Sequence, residues 1–289
     1  MGLDPVYDRL PPPLRQASSP HDAREAAEAI YQFCSQVLEV VAPLVPAVKI
    51  QSACFERYLW PGVKAYHCLI SHAKSLGLIV IADAKRGDIG ASSEHYAAGC
   101  LADRDYDPPF GASDLASPDA LTVNSYIGID ALESFLKVAA AQGKGLFVLV
   151  RTSNPGSDVI QSLQLSDGRS VADAVAELVS GVGSRPEYIG QSGFSLLGAV
   201  VGATKPTDAA RLRQLMPKQI LLVPGFGVQG GSADDVRCCF NEDGVGALIT
   251  ASRSILYAYE STPDEDWRQS FEQATLQMKN QISTSPTAT

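Results

Sequence analysis

LGLIVIAD, residues 76–83, is apolar at nearly every position, and it runs directly into AKRGDIG, residues 84–90. A run that is apolar throughout, rather than at alternate positions, suits a parallel strand covered on both faces. Five runs of the same kind lie downstream, DALTVN (119–124), GLFVLVR (145–151), LLGAVVG (196–202), QILLVPG (219–225) and GVGALIT (244–250), and AVKI (47–50) lies upstream. The short MGLD at the start supplies an eighth strand.

Helical patterns separate these runs. Ser19-Pro20-His21-Asp22 reads as an N-cap with proline at the first helical position. Ala26, Ile30, Phe33, Val37 and Val41 then follow at helical spacing. Pro61 opens a second helix with Val63, Tyr66, Ile70 and Ala73 on one face, and 129–142, 171–182, 207–215 and 232–240 supply more. Alternating strands and helices demand a parallel sheet. A closed (β/α)8 TIM barrel with a short first strand is the economical reading, and a doubly wound sheet is the alternative.

The chain reads as a single barrel domain over 1–282, with no internal repeat and no interdomain linker. RDYDPPFGASDLASPD (104–119) is expected to be a long surface loop and STSPTAT (283–289) a disordered tail. The formal charge of -9 over 289 residues argues against a nucleic-acid or membrane-surface partner, which would call for a basic field. The six cysteines lack metal-ligand spacing and fit small thiols in a reducing cytoplasm. No signal peptide opens the chain, and no apolar run is long enough to span a membrane.

Polar residues gather where the strands end. Asp4 follows the first strand, Lys49 sits in the second, and Asp83, Lys85 and Asp88 close the third. Ser153, Thr204, Gln229 and Arg253 follow strands five to eight. In a barrel of this kind the C-terminal strand ends carry the substrate. Taken singly, each piece has a plain explanation: a solvated turn, a snorkelling lysine, a flexible connector. Together, PGFGVQGG (224–231) and the later SRS (252–254) read as a phosphate site built from glycine-rich backbone N–H groups, with Arg253 closing a charge-assisted clamp. Asp83 and Lys85 lie two apart on an extended segment, so both are expected to face the same side, where Lys49 joins them. Opposed charges held closely keep each other ionised against desolvation.

On these residues the chain resembles the orotidine 5'-phosphate decarboxylase family, and within it the longer bacterial branch. The matching pieces are GLDP (2–5), VKIQSACFE (48–56), IADAKRGDIG (81–90), LTVNSYIG (121–128), VRTSNPG (150–156), VGATKP (201–206), VPGFGVQGG (223–231) and SRSILYA (252–258). They run in family order along nearly the whole chain. Two departures are a start at Met1-Gly2-Leu3-Asp4, which shortens the first strand, and Ser125 where the branch has proline.

The resemblance implies a cofactor-independent, metal-free decarboxylase. Lys49, Asp83, Lys85 and Asp88 match the family's alternating array, with Lys85 as proton donor to C6 of the pyrimidine and Asp83 beside the departing carboxylate. Asp4 and Lys49 bind the ribose, and Ser153 contacts the pyrimidine edge. Gln229 bridges base and phosphate, Gly230 joins the substrate-binding set, and Arg253 holds the phosphate. The resemblance further implies a homodimer in which Asp88 and Ser92 serve the partner's site. The rivals are the magnesium-dependent sugar-phosphate decarboxylases and aldolases, which carry a carboxylate where this chain has Lys49, and a catalytically inactive nucleotide-binding barrel.

Overall fold

The computed structural model describes residues 1–103, 115–227, 232–262 and 266–283. Eight strands form one sheet in chain order: β1 (Gly2–Leu3), β2 (Ala47–Gln51), β3 (Ile79–Arg86), β4 (Ala120–Val123), β5 (Gly145–Arg151), β6 (Leu197–Val201), β7 (Leu221–Pro224) and β8 (Ala247–Thr250). The pairings from β1 to β3 and from β4 to β8 are parallel in register. A doubly wound sheet reverses its strand order at a switch point. This one never does, and the fold is a (β/α)8 barrel. The Gly2 N–H donates to the carbonyl of Ala251 at 2.8 Å.

The described residues group into two compact units. The first comprises Met1–Ala84, Asp103–Asp119 and Ala251–Ile282. Its long helix, Ala23–Val41, starts at Asp22, whose carboxylate accepts the Arg24 and Glu25 N–H groups at 2.8 and 3.2 Å. The cap is therefore Asp22 rather than Ser19, and Pro20 lies before the helix. Its buried face includes Ala26, Ile30, Phe33, Val37 and Val41, as the spacing predicts. Phe33 stacks edge-on against Phe271 (centroids 5.8 Å apart), which packs against Trp267 at 5.3 Å.

The next helix, Leu59–Ser75, has Pro61 in its first turn and buries Ala65, Tyr66, Leu69, Ile70 and Ala73. Val63 is exposed, because the buried stripe runs one step round from the expected one. This helix also moves the start of β3. The Gly77 N–H bonds to Lys74 O (3.0 Å) and the Leu78 N–H to Ala73 O (3.1 Å). With Gly77 at φ +78°, this is the Schellman ending of a helix. Residues 76–78 are thereby consumed as a cap, and β3 runs from 79 to 86 instead of 76 to 83. Asp119 ties down the strand's entry: one carboxylate oxygen accepts the Val80 N–H at 2.8 Å and the other pairs with Lys74.

The N-terminal segment is laced to the residues after β8. The Tyr257 hydroxyl accepts the Val6 N–H at 2.9 Å and donates to Asp4 O at 3.2 Å. Arg9 lies 3.5 Å from the Tyr257 ring centroid and pairs with Glu260 at 2.6 Å. These contacts fix the backbone that presents Asp4.

The second unit comprises Lys85–Ala102 and Ala120–Thr250. Its helices are Gly90–Cys100, Asp130–Gln142, Val171–Gly183, Pro206–Leu215 and the short Asp158–Gln161 and Ala233–Arg237. Capping boxes at Ser170/Asp173 and Ser232/Asp235 start two of them. The interior is tight: a Cβ on Gly198 in β6 would lie 2.5 Å from Ile220 O and 2.9 Å from the Phe147 ring, so only glycine fits there. Of the expected loop 104–119, residues 104–114 lie outside the described residues, as do 284–289 of the expected tail; Ser283 ends a helix. No helix among the described residues is long and apolar enough to cross a membrane. No disulfide joins the six cysteines, all of which lie among the described residues.

Candidate active site

In the first unit, register brings the expected charges together. Gly2 pairs with Lys49 and Gln51 pairs with Asp83, so the residues after β1 and the ends of β2 and β3 lie side by side. Lys49 Nζ lies 2.6 Å from Asp83 Oδ2 and 3.6 Å from Asp4 Oδ1. Lys49 and Asp83 are 7% and 5% exposed, so this ion pair is shut off from bulk water. Burial alone would lower the Lys49 pKa. The fields of Asp4 and Asp83 and the hydrogen bond that Asp83 accepts outweigh that penalty and hold it above the ordinary lysine value. Lys49 is thus a fixed cation at any physiological pH.

Gln51 completes the group. Its Nε2 donates to Asp83 Oδ2 at 3.1 Å, on the same oxygen that meets Lys49. Sequence reasoning missed it, although the signal was present: Gln51 stands two residues beyond Lys49 on one strand and so shares its face.

The next array residue differs from expectation. Lys85 lies at φ +49°, and only Leu59 shares a positive φ among the described non-glycine residues. A left-handed residue breaks the alternation of a strand, so Lys85 is exposed where Asp83 is buried. The conformation costs about 1–2 kcal/mol for a residue with a Cβ. Such strain collects at functional positions, where the surroundings enforce it. The Lys85 N–H donates to the Thr122 hydroxyl at 2.9 Å.

Further along the second unit, Asp88 is half-buried and its Oδ1 accepts the Ile89 N–H at 2.9 Å. Ser92 is exposed on the helix Gly90–Cys100. Ser153, half-buried after β5, sits directly against β6: a Cβ on Gly202 would come within 3.0 Å of the Ser153 N and Cβ. The Thr204 hydroxyl reaches Ser153 O at 3.5 Å.

Arg151, the last residue of β5, is 2% exposed and holds the Ser153 segment in place. It donates to Asp208 at 2.8 Å and Ser157 at 2.9 Å and pairs with Asp158. Hydrogen bonds from Lys205 and Arg151 hold the Asp158 carboxyl far below the usual carboxylate range. Sequence reasoning gave Arg151 no role, since a strand-ending arginine carries no local sign that its partners lie 7 and 57 residues away.

Arg253, in the first unit, is exposed as the first residue of the four-residue helix Arg253–Leu256. Gln229 and Gly230, and with them the expected phosphate loop, lie outside the described residues. Among the described residues no three His, Cys, Asp or Glu side chains gather as a metal site requires.

The resemblance rested on the alternating Lys49, Asp83, Lys85 and Asp88 and on the motifs along the chain, and comparison with known proteins bears on it directly. The orotidine 5'-phosphate decarboxylase / HUMPS family model matches residues 22–269. The chain belongs to that family. The orotidine 5'-phosphate decarboxylase of Rhodopirellula baltica is 42% identical, covering 98% of this chain and 93% of its own. That of Caldicellulosiruptor bescii is 37% identical over 88% of this chain and 81% of its own. Among solved structures, the Leishmania donovani OMP decarboxylase matches with a TM-score of 0.69 at 27% identity, covering 98% of this chain and 93% of that one. Membership makes the chain an enzyme of the orotidine 5'-phosphate decarboxylase kind, as the motifs led us to expect.

Proposed function

We propose that residues 1–282 act as one decarboxylase domain that converts orotidine 5'-phosphate to uridine 5'-phosphate, in pyrimidine biosynthesis, with Lys85 as the proton donor and no metal or organic cofactor. The observation that carries this reading is the closed Asp4–Lys49–Asp83 group leading, two residues on, into the strained Lys85.

The chemistry asks for this kind of apparatus. Breaking the C6–carboxylate bond releases carbon dioxide and leaves the electron pair on C6, a carbon with no adjacent electron sink. Charge stabilisation must come from groups already oriented, in a site where water does not weaken them. The Lys85 ammonium supplies field while the charge develops and then gives C6 its proton. Asp83, held ionised against Lys49, stands beside the substrate carboxylate and is relieved of a like charge as carbon dioxide leaves. Asp4 and Lys49 take the ribose and Ser153 the pyrimidine edge. Arg253, with Gln229 and Gly230, takes the phosphate, whose binding energy supports a transition state formed some distance away.

The active enzyme is a two-fold homodimer in this reading, with Asp88 and Ser92 entering the partner's site. Supporting it are exposed apolar side chains on the segments that follow β3 and β4: Ile89, Tyr126 and Ile127 are 58, 80 and 49% exposed. Six thiols without a disulfide suit a cytoplasmic location.

The test is turnover of orotidine 5'-phosphate by pure protein dialysed against a strong chelator. Stoichiometric uridine 5'-phosphate and carbon dioxide are expected at undiminished rate. Loss of activity on chelation with rescue by magnesium would move the protein to the metal-dependent siblings. Nucleotide binding without turnover would make it an inactive barrel.

A further inference from the structure

Lys85 is a lysine in a strand, yet its backbone is left-handed. Alternate residues of a strand bond to opposite neighbours, and Ile79 and Asp83 bond toward β2 (Pro46 O at 3.1 Å, the Ser52 N–H at 3.2 Å), so an extended residue at position 85 would turn its N–H to that side. Here the N–H turns the other way, toward β4, and a half-buried N–H that has left the ladder needs a partner. The partner is a side chain: Thr122 Oγ1 in β4, at 2.9 Å.

Thr122 is 1% exposed and stands between Leu121 and Val123, both fully buried. Valine would fill the same volume there without a polar group to satisfy. Threonine is also branched at Cβ, so few rotamers are open to it and its oxygen has a fixed place. The ladder resumes one residue later, where the Asn124 N–H donates to Arg86 O at 2.8 Å. Beyond that, a Cβ on Gly87 would lie 2.8 Å from Asn124 O, so the chain is pressed against β4 on the far side of the kink. The irregular residue is thus held by the Thr122 hydroxyl on one side of the kink and by close packing on the other.

We infer that Thr122 is a positioning residue for the reaction: by accepting the Lys85 N–H it holds Lys85 in the left-handed conformation from which its ammonium reaches the substrate. The inference rests on the reading of Lys85 as proton donor. Thr122 touches no reacting atom, and removing its oxygen frees Lys85 to leave the left-handed conformation, which moves its side chain off the line on which it is now held.

The experiment compares Thr122→Val, Thr122→Ser and Lys85→Ala, measuring kcat and KM for orotidine 5'-phosphate, the Kd for uridine 5'-phosphate, and the thermal midpoint. Thr122→Val should lose at least tenfold in kcat, with KM and the uridine 5'-phosphate Kd within threefold of the parent. Thr122→Ser should recover most of that loss, because it restores the acceptor. If Thr122→Val does not fold, Thr122→Ala carries the same expectation. A folded Thr122→Val with the parent's kcat overturns the inference, as does Thr122→Ser failing as badly as Thr122→Val. Failure of both oxygen-free variants to fold, with Thr122→Ser intact, assigns Thr122 to structure alone and also overturns it. Full turnover by Lys85→Ala would instead remove the underlying reading, whatever Thr122 does.

Discussion

Lys49 and Asp83 face each other across β2 and β3 with their charged atoms 2.6 Å apart and almost no access to water. A pair so buried does little for net stability compared with apolar residues of the same volume, but it punishes the loss of either member. Lys49→Met leaves Asp4 and Asp83 without their cation and should cost about 3–5 kcal/mol in urea unfolding. Adding Asp83→Leu should recover part of the stability and none of the activity. The pH dependence has a definite sign. The Lys49 pKa is raised in the folded state, so its contribution is whole below the ordinary lysine value of 10.5 and is lost only as pH climbs through the higher folded value. The stability difference between the parent and Lys49→Met should therefore stay flat from pH 6 to pH 9. A slope in that window would mean that Lys49 is not held as described.

Arg151 gives a second, independent prediction. Its side chain is 2% exposed, while its partners Asp208 and Asp158 are 27 and 46% exposed. Arg151→Met should cost about 3 kcal/mol, at the low end for a broken buried pair because both carboxylates can turn to water. It should also raise KM more than it lowers kcat, since the freed segment carries Ser153. An unchanged KM in a folded Arg151→Met would separate the hub from the site.

Much of this was legible in the chain, for reasons that local chemistry explains. The strands announced themselves because both their faces are covered, so each reads as a short apolar run. Lys49, Asp83 and Asp4 were legible because buried charges beside such runs need one another. Strand ends were less so: the Gly77 cap and the Arg86 bond to Asn124 shift β3 by three residues, and the second depends on a strand nearly 40 residues away. The left-handed Lys85 escaped notice because nothing in KRG forbids an extended lysine. Gln51 and Thr122 went unassigned because an amide and a hydroxyl gain meaning only from the partner across the ladder.

Arg253 is expected to act through the phosphate. Arg253→Ala should weaken orotidine 5'-phosphate by about 1.5–3 kcal/mol, roughly ten- to hundredfold, as for a lost charge-assisted hydrogen bond. The loss should shrink sharply for orotidine, which has no phosphate. Equal losses on the two compounds would detach Arg253 from the phosphate.

The shared site can be read by complementation. Lys85→Ala and Asp88→Ala should each be nearly inactive alone. After subunit exchange, a mixed dimer has one site lacking both groups and one with both intact. Random exchange makes half the dimers mixed, so roughly a quarter of all sites should recover. Recovery should vanish if the dimers are crosslinked before mixing. Verified exchange with no recovery would mean that Asp88 serves its own subunit.

The most direct measurement is single-turnover formation of uridine 5'-phosphate from orotidine 5'-phosphate by the parent and by Lys85→Ala, with uridine 5'-phosphate binding measured alongside. The account predicts rapid, chelator-insensitive turnover by the parent. It predicts none above background by Lys85→Ala, although that variant still binds the product. Substantial turnover by a folded Lys85→Ala would contradict it, because the proton at C6 would then come from another group.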